Sequence, residues 1–193
     1  MEIYLIRHAQ SVGNAQMLMQ GDLDYSLSQS GIEQAKQLIS VLPEFDKIYS
    51  SRLLRAAETA KIATGREPQH IKDFAELDIG AIAGKPYDQN MDDHDKRISY
   101  FYLEHEQYHQ EVDGESVKDF ILRVSRAFAQ LIDSTDQESQ IAIFCHGGTM
   151  RAILHKYLGI MDSEEADFKN CEIVILNYKD GLFELKDRIY PDD

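Results

Sequence analysis

The run IAIFC at Ile141–Cys145 narrows the fold more than any other stretch of the chain. Five consecutive apolar residues leave no polar face, so as a strand the run must be covered on both sides, as a central strand is between two helix layers. It ends in His146, Gly147, Gly148 and Thr149 and is followed by a helical stretch that holds Arg151 and Leu154. The N-terminus has the same design. Ile3, Tyr4, Leu5 and Ile6 stop at Arg7 and His8, and small or polar residues suited to a loop and a helix start continue to Asn14. Strand side chains alternate faces, so Arg7 and His8 can serve one ligand only if the strand ends near Ile6. Such strand ends are where open α/β sheets bind ligands. On that stretch alone, a surface Arg–His pair behind an edge strand is an equal reading.

With 193 residues, 43% of them hydrophobic, the chain can bury a full core, and its length favours one domain with an insertion. A formal charge of −14 argues against a partner bound through a phosphate backbone, though a small anion can still bind locally. Cys145 and Cys171 make neither a disulfide framework nor a metal cluster, and no secretory signal or long apolar span is visible at the N-terminus. A cytoplasmic protein with no nucleic-acid or membrane partner is the expectation.

Ser28 or Ser30 can cap a helix with apolar positions Ile32, Ala35, Leu38, Ile39 and Leu42, ended by Pro43. DKIYS (46–50) reads as a strand, and SRLLRAAETAKIA as a helix that places Ser51, Arg52 and Arg55 near its N-terminus, where free backbone N–H groups and a guanidinium attract anions. One of the two arginines should face solvent. His70 to Asp73 reads as a strand, and the turn-rich segment after it carries Glu76, Gly80, Gly84 and Pro86. From Asp88 to Asp113 an acidic run precedes an aromatic-rich helical pattern, read as an insertion at about 85–115 over one end of the sheet. Its Tyr87, Tyr100, Tyr102 and Tyr108 could line a pocket or pack on the body. His105 and His109 are four apart, but no third ligand accompanies them, so no metal site is expected. Ser116 and Asp119 form a capping box before a helix with a buried stripe from Val117 to Leu131, and CEIVILNY and LFELKDRIY form a hairpin across Lys179-Asp180-Gly181.

RHAQSVGN, LSQSGIEQA, SSRLLRAAETA, the ELDIG segment, DGES and CHGGTMR occur in the order and spacing of the histidine phosphatase superfamily, and the chain resembles that phosphoglycerate-mutase-like family over about residues 1–157. The resemblance implies a three-layer α/β/α sandwich: a mostly parallel central sheet, an antiparallel edge near the C-terminus, and Ile3–Ile6 beside Ile141–Cys145. It also implies that His8 is the nucleophile, that Arg7 and Arg55 grip the phosphoryl oxygens, that His146 faces the same group and that Glu76 protonates the leaving group. Asn14, Ser11 and Gly147 match substrate-binding positions. Ala9 stands where the family usually has Gly, with a methyl that could crowd the site, and Ala81, Ile82 and Ala83 replace an aromatic pocket wall.

Two guanidiniums and histidine N–H donors can compensate phosphoryl charge without a metal or another cofactor. The 84–115 segment is shorter than the corresponding insertion of phosphoglycerate mutases, and a more open site favours hydrolysis. The expectation is therefore a metal-independent phosphomonoesterase acting on a small phosphorylated metabolite through phospho-His8. A phosphomutase and a non-catalytic phospho-ligand binding protein on the same scaffold remain alternatives. The oligomeric state is left open, a homodimer included.

Overall fold

A computed structural model describes residues 1–86, 113–160 and 168–190. Its elements in chain order are β1 (Glu2–Arg7), α1 (Val12–Ala15), α2 (Gln29–Gln37), β2 (Lys47–Ser50), α3 (Leu54–Thr64), β3 (Gln69–His70), α4 (Val117–Asp133), β4 (Gln140–Cys145), α5 (Gly147–Leu158), β5 (Ile173–Lys179) and β6 (Leu182–Ile189). One six-stranded sheet has the order β3-β2-β4-β1-β5-β6. The first four strands of that order pair in parallel, while β5 runs antiparallel to β1 and β6 antiparallel to β5.

The continuous apolarity of β1 and β4 is explained by two cores, one on each face. Ile3, Leu5, Ile141, Ile143 and Cys145 join the core under α4 and α5, while Tyr4, Ile6, Ala142 and Phe144 join the one under α2 and α3. Phe120 and Phe128 of α4 are fully buried, each a transfer contribution of about 2–3 kcal/mol. β1 and β4 are neighbours in matched register, with Arg7 opposite Cys145. The three-layer sandwich with an antiparallel C-terminal edge is the architecture the sequence implies.

Local details differ. Ser28, not Ser30, caps α2, whose last turn tightens into a 3-10 turn over Leu38–Ser40. The tighter winding rotates Ile39 out of the expected stripe, so it is 59% exposed. The strand expected over His70 to Asp73 is only the two-residue β3. Beyond it the chain leaves the sheet in a 3-10 turn (Lys72–Phe74) and sends Phe74 into the core. Ser116 caps α4 as expected, but the Asp119 carboxylate returns to the Ser116 hydroxyl. In the β5–β6 hairpin, Asp180 and Gly181 take positive φ, the two-residue turn that fits strand twist. The Tyr-rich and His105/His109 segment lies outside the described residues.

Candidate active site

β1 and β4 deliver one histidine each to the same edge of the sheet. The His8 backbone N–H donates to the Cys145 carbonyl (3.0 Å), extending the β1–β4 pairing by one residue, and the His8 and His146 ring centroids lie 5.2 Å apart. His8 Nδ1 sits 2.7 Å from the Ala9 carbonyl oxygen. A carbonyl only accepts, so Nδ1 carries the proton and Nε2 of the neutral ring is left with a lone pair. The backbone around this ring is pinned from two sides. Ala9 N–H donates to Thr59 Oγ1 of α3 (3.0 Å), and the Asn170 side chain donates to the His8 carbonyl (2.8 Å). The Ala9 methyl is buried in the α2/α3 core, and Ala9 is not among the positive-φ residues. It neither crowds the site nor strains the chain.

His146 Nε2 lies 2.8 Å from Ser51 Oγ, which already accepts the Leu53 N–H. The Ser51 hydroxyl proton is free to point at Nε2, and in that tautomer neutral His146 carries its proton on Nδ1. Burial, together with the charges of Arg55 and Arg7, holds both histidines well below the ordinary imidazole range. Both are therefore neutral at physiological pH.

Of Arg52 and Arg55, the first is exposed and the second is 1% exposed. Arg55 donates to the carbonyls of Leu23 (2.6 Å) and Gly21 (2.7 Å), and burial lowers it to about 10, which leaves it cationic. Arg7 donates to the Phe168 carbonyl. Arg7 Nε, Arg55 Nε and His146 Nδ1 are buried with no hydrogen-bond partner among the described residues. Three unused donors in one small region suit an oxyanion.

The Glu76 carboxylate accepts N–H groups from Leu77 (3.0 Å) and from Gly148 in the first turn of α5 (3.0 Å). A Cβ on Gly148 would fall 2.2 Å from Glu76 Oε1, whereas one on Gly147 would meet Arg7 only at 3.7 Å. Of the glycine pair, it is therefore Gly148 that permits a close approach, and the group approaching is Glu76. Ser11 is fully buried and caps α1, accepting Asn14 N–H (3.0 Å) while Ser11 N–H donates to Asn14 Oδ1 (3.1 Å). Ser11 Oγ also lies 2.6 Å from Gln20 Oε1. Geometry thus assigns Ser11 to holding the loop. Gly31 serves the same loop: a Cβ there would fall 1.9 Å from the Gln10 carbonyl, so only glycine lets α2 rest against the residues after His8.

Sequence reading missed Thr59, Asn170 and Arg123, and named Ser51 and Gly148 without their partners His146 and Glu76. Ser51 and the second glycine lie at strand ends already singled out. Asn170 has no signal in the sequence. Arg123 donates from Nε and Nη2 to the two Glu115 oxygens (2.6 and 2.8 Å), and DGES follows from this. Gly114 packs against the backbone of residues 78–80, Glu115 pairs with Arg123 and Ser116 caps α4.

The family model described as histidine phosphatase superfamily (branch 1) matches residues 3–189. A Hydrogenobacter thermophilus protein provisionally named phosphoserine phosphatase 2 is 33% identical over 163 residues, covering 82% of this chain and 79% of its own. A metal-independent phosphoserine phosphatase of Arabidopsis thaliana is 26% identical over 187 residues, covering 93% and 77%. The crystal structure of a phosphoglycerate mutase from Bacillus anthracis superposes with a TM-score of 0.80 at 20% identity, covering 96% of this chain and 91% of that one, a likeness of fold.

Proposed function

The chain belongs to branch 1 of the histidine phosphatase superfamily, and from that premise we propose that it hydrolyses a small phosphate monoester through a phosphohistidine at His8, without a metal ion. The observation that carries the reading is the His8 Nδ1–H donation to Ala9, which presents an unprotonated Nε2 beside three buried, unused donors.

In this reading the phosphoryl oxygens take the free N–H groups of Arg7, Arg55 and His146 Nδ1, the Gly147 N–H at the start of α5 and the Asn14 amide. These groups supply the positive field that transfer requires. His8 Nε2 attacks phosphorus in line, a P–N bond forms, and the ester P–O bond breaks. The Glu76 carboxyl gives its proton to the departing oxygen. Water then attacks phospho-His8 and yields its proton to the Glu76 carboxylate, which restores the imidazole and releases phosphate. Ser11 acts only through the loop it caps.

A small substrate agrees with the acidic exterior, which repels large polyanions. Cys145 and Cys171 are buried and joined in no disulfide among the described residues, and burial pushes the Cys145 thiol up, which suits a reducing cytoplasm. No helix among the described residues is long and apolar enough to cross a membrane.

The test is p-nitrophenyl phosphate hydrolysis in EDTA by the wild type and His8→Ala, with acid-quenched and alkali-quenched trapping of labelled enzyme. Turnover in EDTA with an acid-labile, alkali-stable label, both lost in His8→Ala, is expected. Activity abolished by EDTA, or retained in His8→Ala, would overturn the mechanism. A requirement for a bisphosphorylated activator would identify a mutase instead.

A further inference from the structure

The segment that carries Glu76 has almost no regular secondary structure, yet four consecutive carbonyls, from Asp73 to Glu76, each accept a hydrogen bond from a side chain. Arg123 Nη1 donates to Asp73 O (2.8 Å) and Ala75 O (3.0 Å), Nη2 donates to Glu76 O (3.0 Å), and Thr149 Oγ1 donates to Phe74 O (3.2 Å). With the two bonds to Glu115, all five N–H donors of Arg123 are used. The guanidinium lies 4.8 Å from the centre of the Phe120 ring, itself fully buried in α4. A planar fork held this way has no rotational freedom left.

We propose that Arg123 is a positioning residue for proton transfer: it fixes the Glu76 backbone to α4 so that the carboxylate meets the Gly148 N–H and the leaving oxygen. The inference rests on the reading of Glu76 as proton donor. It goes further by assigning the precision of that donor to a side chain that touches neither substrate nor the reacting atoms. Thr149, one residue beyond Gly148 in the same turn of α5, holds the Phe74 carbonyl. The segment is thus registered simultaneously to α4 and to the helix start that receives the carboxylate. Glu115 closes the arrangement by orienting the fork, which gives the Glu of DGES a part in the reaction.

A misplaced proton donor has a signature that general loosening lacks. A good leaving group departs without a proton, so only substrates with basic leaving groups should suffer. The experiment measures kcat/KM, which reports the steps through phosphoryl transfer, for p-nitrophenyl phosphate, phenyl phosphate and an alkyl phosphate. The proteins are the wild type, Arg123→Met, Arg123→Lys, Glu115→Gln and Glu76→Gln. A displacement near 1 Å costs about 10²-fold in well-oriented catalysis. Arg123→Met is therefore expected to lose about that factor on the alkyl ester and little on the nitrophenyl ester, the same selectivity expected of Glu76→Gln. Arg123→Lys, with one ammonium for three carbonyls, should not restore the alkyl rate. Equal losses on every substrate, or a wild-type leaving-group dependence, would overturn the proposal. If Arg123→Met does not fold, Glu115→Gln, which keeps the three carbonyl bonds, carries the same test through a smaller steepening. A wild-type dependence in Glu76→Gln itself would instead refute Glu76 as proton donor, and a wild type inert on all three esters would refute the phosphatase reading.

Discussion

Gly148→Ala isolates the geometry of Glu76 from the stability of the fold. The new methyl carbon would start 2.2 Å from Glu76 Oε1, and since real Cβ contacts are not found under 3.0 Å, the carboxylate must retreat by at least 0.8 Å. It would also strain or lose its 3.0 Å bond to the Gly148 N–H. A retreat of that size corresponds to a loss of about 10²-fold, or roughly 2.7 kcal/mol of transition-state stabilisation. Gly148 has no positive φ and lies in α5, where alanine is the better helix former by about 1 kcal/mol. Stability should hold or rise slightly while activity falls. The assay is kcat/KM for an alkyl phosphate alongside thermal unfolding, with Gly147→Ala, whose methyl would find ordinary contact distance to Arg7, as the paired variant of smaller loss. Wild-type activity in Gly148→Ala would show that Glu76 tolerates displacement, and a large drop in Tm would show that the loss was one of folding. Either result refutes the reasoning.

The buried histidines make stability depend on pH. His8 and His146 titrate well below the ordinary imidazole value when folded and near about 6.5 when unfolded, so the unfolded chain binds more protons in the interval between. Stability should be full above about pH 6.5 and fall as pH drops below it, with a limiting slope of about 1.4 kcal/mol per pH unit for each histidine. Thermal melts of His8→Asn should show a shallower slope than the wild type, and identical slopes would exclude His8 from the effect. Glu172 is fully buried, paired with Arg188 and accepting the Lys169 N–H at 2.7 Å. Glu172→Gln should cost about 2–3 kcal/mol in urea unfolding, below the full cost of a broken buried pair because Arg188 is partly exposed. A change under about 0.5 kcal/mol would place the pair with ordinary surface ion pairs.

The two strands that meet in the sheet centre were legible because burial on both faces forces unbroken apolarity, and their terminal histidines stand out against it. The helices were legible from periodicity, but Ile39 and β3 were not. A 3-10 turn and a two-residue edge pairing are decided by what Leu38 and Phe74 reach in the core. Which of Arg52 and Arg55 turns inward was given by resemblance and not by pattern, since both lie near one helix start. Arg123 was hidden for a general reason: three of its acceptors are backbone carbonyls, which every residue possesses. Gly147 and Gly148 were seen as a pair, but which of them must lack a side chain depends on Glu76, seventy-two positions away.

The 5.2 Å between the histidine rings is close to the spacing of about 4.8 Å between neighbouring strands. The gap in which the proposed phosphoryl group would sit therefore begins from a lattice constant of the sheet, the spacing that the hydrogen bonds of β1 to β4 set, and the ring contacts to Ala9 and Ser51 complete it. A one-residue slip between these strands would offset the histidines by about 3.3 Å along the chain and turn one of them to the opposite face. Assembly of the site is consequently digital: the aligned register has both histidines at one edge, and no neighbouring register has a weakened version of it. Variation elsewhere on the surface can then accumulate without gradually eroding the centre, since the distance that matters is repeated by every paired residue from Glu2 to Arg7.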